Sequence, residues 1–272
     1  QPRVSARRRA RAVVTCAAAA SFAQQRGAAA GALAGPRALA FYLWTVAVAV
    51  PLFVVMLALF PFVFVLDRAR RTAEHLVNMV WANLSTSPFY RIEVEGWERL
   101  PPRKEAVVFV ANHQSYLDIF SLFRLWRSFK FVSKTSNFLI PIVGWSMFLT
   151  GHIGLKRTDR KSQLKMLKTC VDMLASGASV LFFPEGTRSV SGRMDAFKQG
   201  AFSVAVKAGV RVVPVTLLGT GDLMPSGQES RLKAGKVKLV IHEPIGGGDA
   251  KQMCEEARAV IAAELTKYGY EV

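Results

Sequence analysis

The chain predicts an α/β fold, a mixed sheet flanked by helices, with an N-terminal hydrophobic helical segment that associates with a membrane. Three observations lead there. Short apolar runs alternate with stretches of helical period between residues 91 and 267. Two of these runs, 106–111 and 179–183, are almost unbroken apolar sequence, as in strands buried on both faces. A charge-free stretch, 39–66, exceeds the ~20 residues that a spanning helix needs.

The elements follow in order. Residues 1–37 hold seven arginines (3, 7, 8, 9, 11, 26 and 37), many alanines and no acid, a composition shared by organelle transit peptides and by disordered basic arms. A single aromatic residue, Phe22, lies among those arginines, which argues against nucleic-acid binding by the arm. The apolar stretch 39–66 is interrupted by Pro51 and Pro61 and followed by Asp67, Arg68, Arg70 and Arg71. A proline inside a helix removes a hydrogen bond and kinks or breaks it. One kinked transmembrane helix, or two shorter helices dipping into one leaflet, both satisfy the pattern. The chain therefore divides into an arm (1–37), a membrane-associated helical region (38–90) and an α/β domain (91–272).

Beyond Asp67 the pattern is that of a soluble domain. Helices are expected over 72–84, 116–126, 137–149, 159–176, 196–208 and 249–267. Strands are expected over 91–96, 106–111, 129–133, 152–155, 179–183, 212–217 and 236–241. Residues 159–176 give the clearest amphipathic helix, with Leu164, Leu167, Val171 and Leu174 as its apolar stripe and Lys161, Lys165 and Lys168 elsewhere. Gly177 ends it and Gly209 ends the helix over 196–208. Gly246–Gly248 reads as a loop, and no internal repeat is present.

Composition narrows the function classes. The chain has 272 residues, 51% of them hydrophobic, and a formal net charge of +17. Setting aside the arm leaves 29 basic against 19 acidic residues, so the body is basic as well. Such a body attracts anionic membranes, acidic proteins or nucleic acid. Three cysteines (Cys16, Cys170 and Cys254) form neither a disulfide framework nor a paired metal spacing. The chain begins at Gln1 rather than Met, as a fragment would.

Two motifs carry chemistry. Asn112-His113-Gln114-Ser115-Tyr116-Leu117-Asp118 directly follows an apolar strand. Asp118 could accept a hydrogen bond from one ring nitrogen of His113 and leave the other to take a proton from a hydroxyl. Asp118 also fits a plain capping box with Ser115. Ser115 is near enough to raise a Ser–His arrangement, but the G-x-S-x-G elbow is absent and helix capping suits it better. His75, His152 and His242 have no such setting.

The second motif is Phe183-Pro184-Glu185-Gly186-Thr187-Arg188-Ser189. Arg188 offers a planar fork of donors to an anion, and Gly186 permits close backbone approach. Glu185 could hold Arg188 or orient a substrate. Lys156-Arg157 adds positive charge after another expected strand. A base, an anion grip and a long apolar segment together point to chemistry on a phosphorylated lipid. A metal hydrolase built on His113 and Asp118 lacks a third ligand at useful spacing. A non-catalytic basic binder leaves the ordered motifs unexplained.

These residues resemble the lysophosphatidic acid acyltransferases, glycerolipid acyltransferases with an H-x4-D motif. Four blocks match in order: 112–118, 151–157, 183–189 and 213–217. The runs 131–136 and 219–227 are similar to the plastid, bacterial-like branch. The resemblance implies acyl transfer from a thioester, of acyl carrier protein or coenzyme A, to the 2-hydroxyl of 1-acyl-glycerol 3-phosphate. It implies His113 as general base and Asp118 as its orienter. Arg157 and Arg188 would bind the acceptor phosphate, with Lys134 as a further candidate. Glu185 and Gly186 would shape that site, and Pro214 and its neighbours the acyl side.

The second block departs from the commoner pattern. Gly154 replaces a bulky apolar residue, and Lys156 an acidic or amide one. A thioester is already activated, so neither metal nor redox cofactor is required. The resemblance also implies a chloroplast membrane, the inner envelope, as the location, with membrane lipid as a partner. A related acyltransferase acting on glycerol 3-phosphate or another lysolipid would share the same chemistry.

Overall fold

The computed structural model describes residues 17–28 and 31–272. Residues 17–27 are helical (α1). Then come α2 (Ala34–Leu66), α3 (Thr72–Thr86), β1 (Arg91–Glu95), β2 (Val108–Ala111), α4 (Leu117–Leu122), β3 (Phe129–Lys134), α5 (Val143–Thr150) and β4 (Ile153–Leu155). After these come α6 (Arg160–Ala175), β5 (Ser179–Phe182), α7 (Gly200–Ala208), β6 (Val212–Leu218), α8 (Thr220–Leu223), β7 (Lys236–Ile241) and α9 (Ala250–Lys267). The strands form one mixed seven-stranded sheet in the order β1-β7-β6-β2-β5-β3-β4. All neighbours are parallel except β6 and β7.

The sheet is a central layer because β2 alternates. Phe109 and Ala111 enter one core with Phe41 of α2, Met79 of α3 and Phe120 of α4. Val108 and Val110 enter the other, with Cys170 of α6, Phe202 of α7 and Met253 of α9. The run is continuously apolar because each face meets helices.

The charge-free segment is one helix. α2 runs through Pro51 and Pro61, and both prolines lie on its exposed flank. Its buried residues, Ala38, Phe41, Thr45, Ala49, Met56 and Val63, recur near the helical period and face α3 and α5. The other flank presents Leu39, Leu43, Val50, Val54 and Leu57 outward. Length and composition qualify α2 as a candidate membrane span.

Several expectations change. Part of the arm packs on the domain: Phe22 of α1 is fully buried edge-on to Tyr268, at 5.6 Å between ring centroids. Gln25 bonds both backbone groups of Lys236, and Arg26 donates to the Tyr268 carbonyl at 3.0 Å. The first half of the arm, including Cys16, lies outside the described residues. The helix expected over 137–149 splits into a 3-10 turn (Thr135–Leu139) and α5, because Gly144 packs so close to the Phe138 carbonyl that a Cβ would sit 2.3 Å from its oxygen.

On α6 the buried stripe is Met166, Cys170 and Leu174, while Leu164 is exposed. The apolar leucines at 164 and 167 had suggested a register one step away. Asp159 caps α6 by accepting from Lys161 N–H, and Asp249 caps α9 in the same way.

Candidate active site

The two motifs meet at the carboxyl ends of β2 and β5, adjacent parallel strands. Open α/β sheets place ligands at that edge. Asn112, just past β2, pins the bend: its side-chain amide donates to the Leu217 carbonyl at 3.0 Å and accepts from Leu217 N–H at 2.8 Å. This continues the pairing with β6 past the point where the backbone turns away.

His113 Nδ1 lies 2.8 Å from Asp118 Oδ2. A carboxylate only accepts, so Nδ1 carries the proton and Nε2 presents its lone pair. Asp118 is fully buried, and the same Oδ2 accepts from the amides of Gln114 at 2.7 Å and Ser115 at 2.9 Å. Oδ2 alone thus accepts from the imidazole and from two amides at the start of the helix. Phe183 stacks on the imidazole at 3.8 Å between centroids and 13° between planes. The ring is held on one edge and one face, and Nε2 has no hydrogen-bond partner among the described residues.

Ser115 is not poised as a nucleophile. Its hydroxyl donates to the Met224 carbonyl at 2.7 Å and accepts from Leu117 N–H at 3.2 Å. The amides of Gln114, Ser115 and Leu117 are thus turned inward. They are unavailable to a developing oxyanion, contrary to what a free helix start would offer.

Glu185 is buried and bridges two backbone segments. One oxygen accepts from His113 N–H at 2.6 Å and the other from Asp195 N–H at 3.0 Å. Burial pushes its pKa up to about 7, against the lowering effect of those two bonds. Glu185 does not pair with Arg188; it ties the His113 bend to the loop after β5. Ser189 N–H donates back to the His113 carbonyl at 2.8 Å and closes the same tie. Gly186 has φ of +84°, and a Cβ there would meet Lys198 Nζ at 2.3 Å. Lys198 itself donates to the Glu185 carbonyl at 3.0 Å.

Arg188 is half-buried and bonded through Nη1 to Glu229 at 2.6 Å. Glu229 belongs to the loop after α8. Its carbonyl accepts from the hydroxyl of Tyr42 on α2, at 2.9 Å. Glu229 and Tyr42 carry no local signal in the sequence, because both reach Arg188 only through the tertiary fold.

Arg157 and Lys134 are exposed at the same sheet edge. Lys134 ends β3 and Arg157 follows β4, two and three strand positions from β2, or about 10 and 14 Å at ~4.8 Å per strand. Neither touches His113 or Arg188. Pro214 lies within β6 beside Val110 of β2, fully inside the sheet rather than at its open edge. Among the described residues, no three His, Cys, Asp or Glu side chains gather as metal ligands. His152 and His242 are largely buried, and burial lowers the pKa of both.

Comparison with known proteins gives the family. The family model described as Acyltransferase matches residues 91–218. A 1-acyl-sn-glycerol-3-phosphate acyltransferase of Chlamydomonas reinhardtii is 58% identical over 86% of this chain and 70% of its own length. A chloroplastic enzyme of the same description from Arabidopsis thaliana is 51% identical over 79% of this chain, and one from Brassica napus 48% over 80%. The chain spans 60% and 63% of those two relatives. The crystal structure of the 1-acyl-sn-glycerophosphate acyltransferase PlsC from Thermotoga maritima superposes with a TM-score of 0.70 at 29% identity. That match covers 85% of this chain and 95% of the other. The chain belongs to the 1-acyl-sn-glycerol-3-phosphate acyltransferase family.

Proposed function

We propose that His113 is the general base of an acyl transfer and that Asp118 fixes its tautomer and steadies the imidazolium. The chain acylates the 2-hydroxyl of 1-acyl-glycerol 3-phosphate and yields phosphatidic acid. The observation that carries the mechanism is the 2.8 Å contact between Nδ1 and a fully buried carboxylate, with Nε2 left open.

The steps follow from that geometry. Nε2 takes the proton as the acceptor oxygen attacks the thioester carbonyl. The tetrahedral intermediate collapses, the C–S bond breaks, and the leaving thiolate takes the proton from the imidazolium. The donor is an acyl thioester of acyl carrier protein or coenzyme A. Arg188 grips the acceptor phosphate, and Arg157 and Lys134 supply the outer positive edge. Glu185 and Gly186 shape the bend rather than contact the phosphate.

α2 brings this site to its substrate. One flank is fastened to the protein from Ala38 to Val63, which favours lying in one leaflet over crossing the bilayer. The exposed aromatic rings of Trp145 and Phe148 on α5 extend the apolar flank, since Trp145 packs on Phe53 of α2 at 5.9 Å. The chloroplastic relatives and this helix support a chloroplast membrane, and the inner envelope is the membrane proposed.

Purified protein is given labelled 1-acyl-glycerol 3-phosphate with each thioester donor in turn, and phosphatidic acid is measured. Formation of labelled phosphatidic acid supports the reading. Its absence with both donors refutes it.

A further inference from the structure

A cavity lies at the amino ends of the strands, on the opposite edge of the sheet from His113. It encloses about 270 Å³ among residues that precede or begin β2, β3 and β5, including Val107, Ser128 and Ser179. Arg70, Arg103, Lys104, Arg127 and Lys130 line it, and Glu105 is the one carboxylate in the lining. Glu105 is already neutralised, because its two oxygens accept from Arg211 at 2.9 Å each. Lys130 is committed as well: its ammonium donates to the carbonyls of Arg70 at 2.6 Å and Thr150 at 2.5 Å.

The other four cations keep donors in hand. Arg70 uses one nitrogen on the Lys104 carbonyl, and Arg127 one on the Pro101 carbonyl. Among the described residues, the side chains of Arg103 and Lys104 have no hydrogen-bond or ion-pair partner. Burial and the neighbouring Arg103 hold the Arg127 guanidinium below its usual pKa. Like charges therefore converge on one partly open cavity whose lining holds no free counter-ion, and an anion there relieves their repulsion.

We propose that this cavity is a binding site for a phosphate-bearing ligand, separate from the acyl-transfer site. Arg70, Arg103, Lys104 and Arg127 supply its donors. Its volume suits a headgroup rather than a whole lipid. Two observations bear on the source of the phosphate. Arg70 lies four residues past the end of α2, where an apolar helix meets lipid headgroups. Leu76 and Met79 of α3 give the cavity an apolar wall along which an acyl chain can leave. The shared chemistry is a terminal phosphate group, carried by an anionic lipid or present as free phosphate.

The test titrates the detergent-solubilised full chain, by calorimetry, with inorganic phosphate and with dihexanoyl phosphatidic acid below its micelle concentration. Arg103→Glu/Lys104→Glu reverses two exposed charges without touching a packed group. Arg127→Ala is the second variant, and thermal unfolding shows that each is folded. One class of sites should weaken by about tenfold or more in both variants, as expected from losing charge-assisted hydrogen bonds. The same class should persist in Arg188→Ala. Tighter binding of the lipid than of phosphate identifies a headgroup site, and equal binding identifies a free-phosphate site; either supports the proposal. Binding unchanged in both cavity variants, or lost entirely with Arg188→Ala, overturns it.

Discussion

Arg188 and Glu229, 41 positions apart in sequence, meet through a single 2.6 Å hydrogen bond from Nη1. The guanidinium proposed to grip the acceptor phosphate already has an anionic neighbour. Only one of its donors is engaged, so the rest of the fork remains for the ligand. Two substitutions separate the contributions. Arg188→Lys keeps the charge and loses the fork, and should cost on the order of 1–3 kcal/mol in kcat/KM for the phosphorylated acceptor. KM for the thioester donor should not move. A loss confined to the donor would assign Arg188 to the donor side.

Glu229→Gln still offers Nη1 an acceptor but removes a negative charge beside the phosphate. Acceptor KM should fall by about threefold, the scale of a half-exposed ion pair, with kcat little changed. A raised KM would mean that Glu229 acts by holding the guanidinium still. Steady-state kinetics at varied acceptor concentration decide between the two.

Glu185 bridges the amide of His113 to that of Asp195. Glu185→Gln can accept from one amide but presents its own N–H₂ to the other. The bend should loosen by an amount typical of an unsatisfied buried polar group, about 1–3 kcal/mol. Because the bend carries the base, kcat should fall more than acceptor KM rises. An unchanged kcat would remove Glu185 from the support of His113.

α1 makes a truncation test specific. Removal of residues 1–16 keeps α1 and sets the reference Tm. Removal of 1–28 strips Phe22 and Gln25 from the sheet edge and should lower Tm. Phe22→Ala should cost about 3 kcal/mol in stability. Equal stability of the two truncations would show that α1 contributes nothing in solution.

His242 gives a pH signature. Burial, then Arg99 and Lys267, lower its pKa to about 4 from 6.5. The unfolded chain binds this proton more readily, so stability from His242 is fully present above pH 6.5 and is lost as pH falls towards 4. His242→Gln should flatten the acid limb of Tm between those values, by on the order of 3 kcal/mol in stability. An unaltered acid limb would refute the shift.

Much of this was legible locally. Strand positions followed from apolar runs, and α6 from the spacing of its apolar residues. The His113–Asp118 pairing was legible because five residues of one bend bring them together. What escaped depended on distant partners. Leu164 looked internal by spacing, yet the face of α6 that meets the sheet is set by Met166 and Cys170. Phe22 sat in an alanine-rich stretch, and only the surface of Tyr268 makes it a core residue. Tyr42 looked like one more apolar position of α2 until its hydroxyl met the Glu229 loop. Arg157 and Arg188 looked equivalent in sequence, but the strand order puts Arg157 at the far edge.

Whether His113 moves the proton is tested directly by one measurement. Acyl transfer to 1-acyl-glycerol 3-phosphate is followed for the wild type and for His113→Ala, with acceptor affinity and Tm measured on the same preparations. Turnover should fall by at least about 10²-fold, the usual contribution of a positioned base, with acceptor affinity and Tm nearly unchanged. Near-normal turnover by His113→Ala would contradict that role.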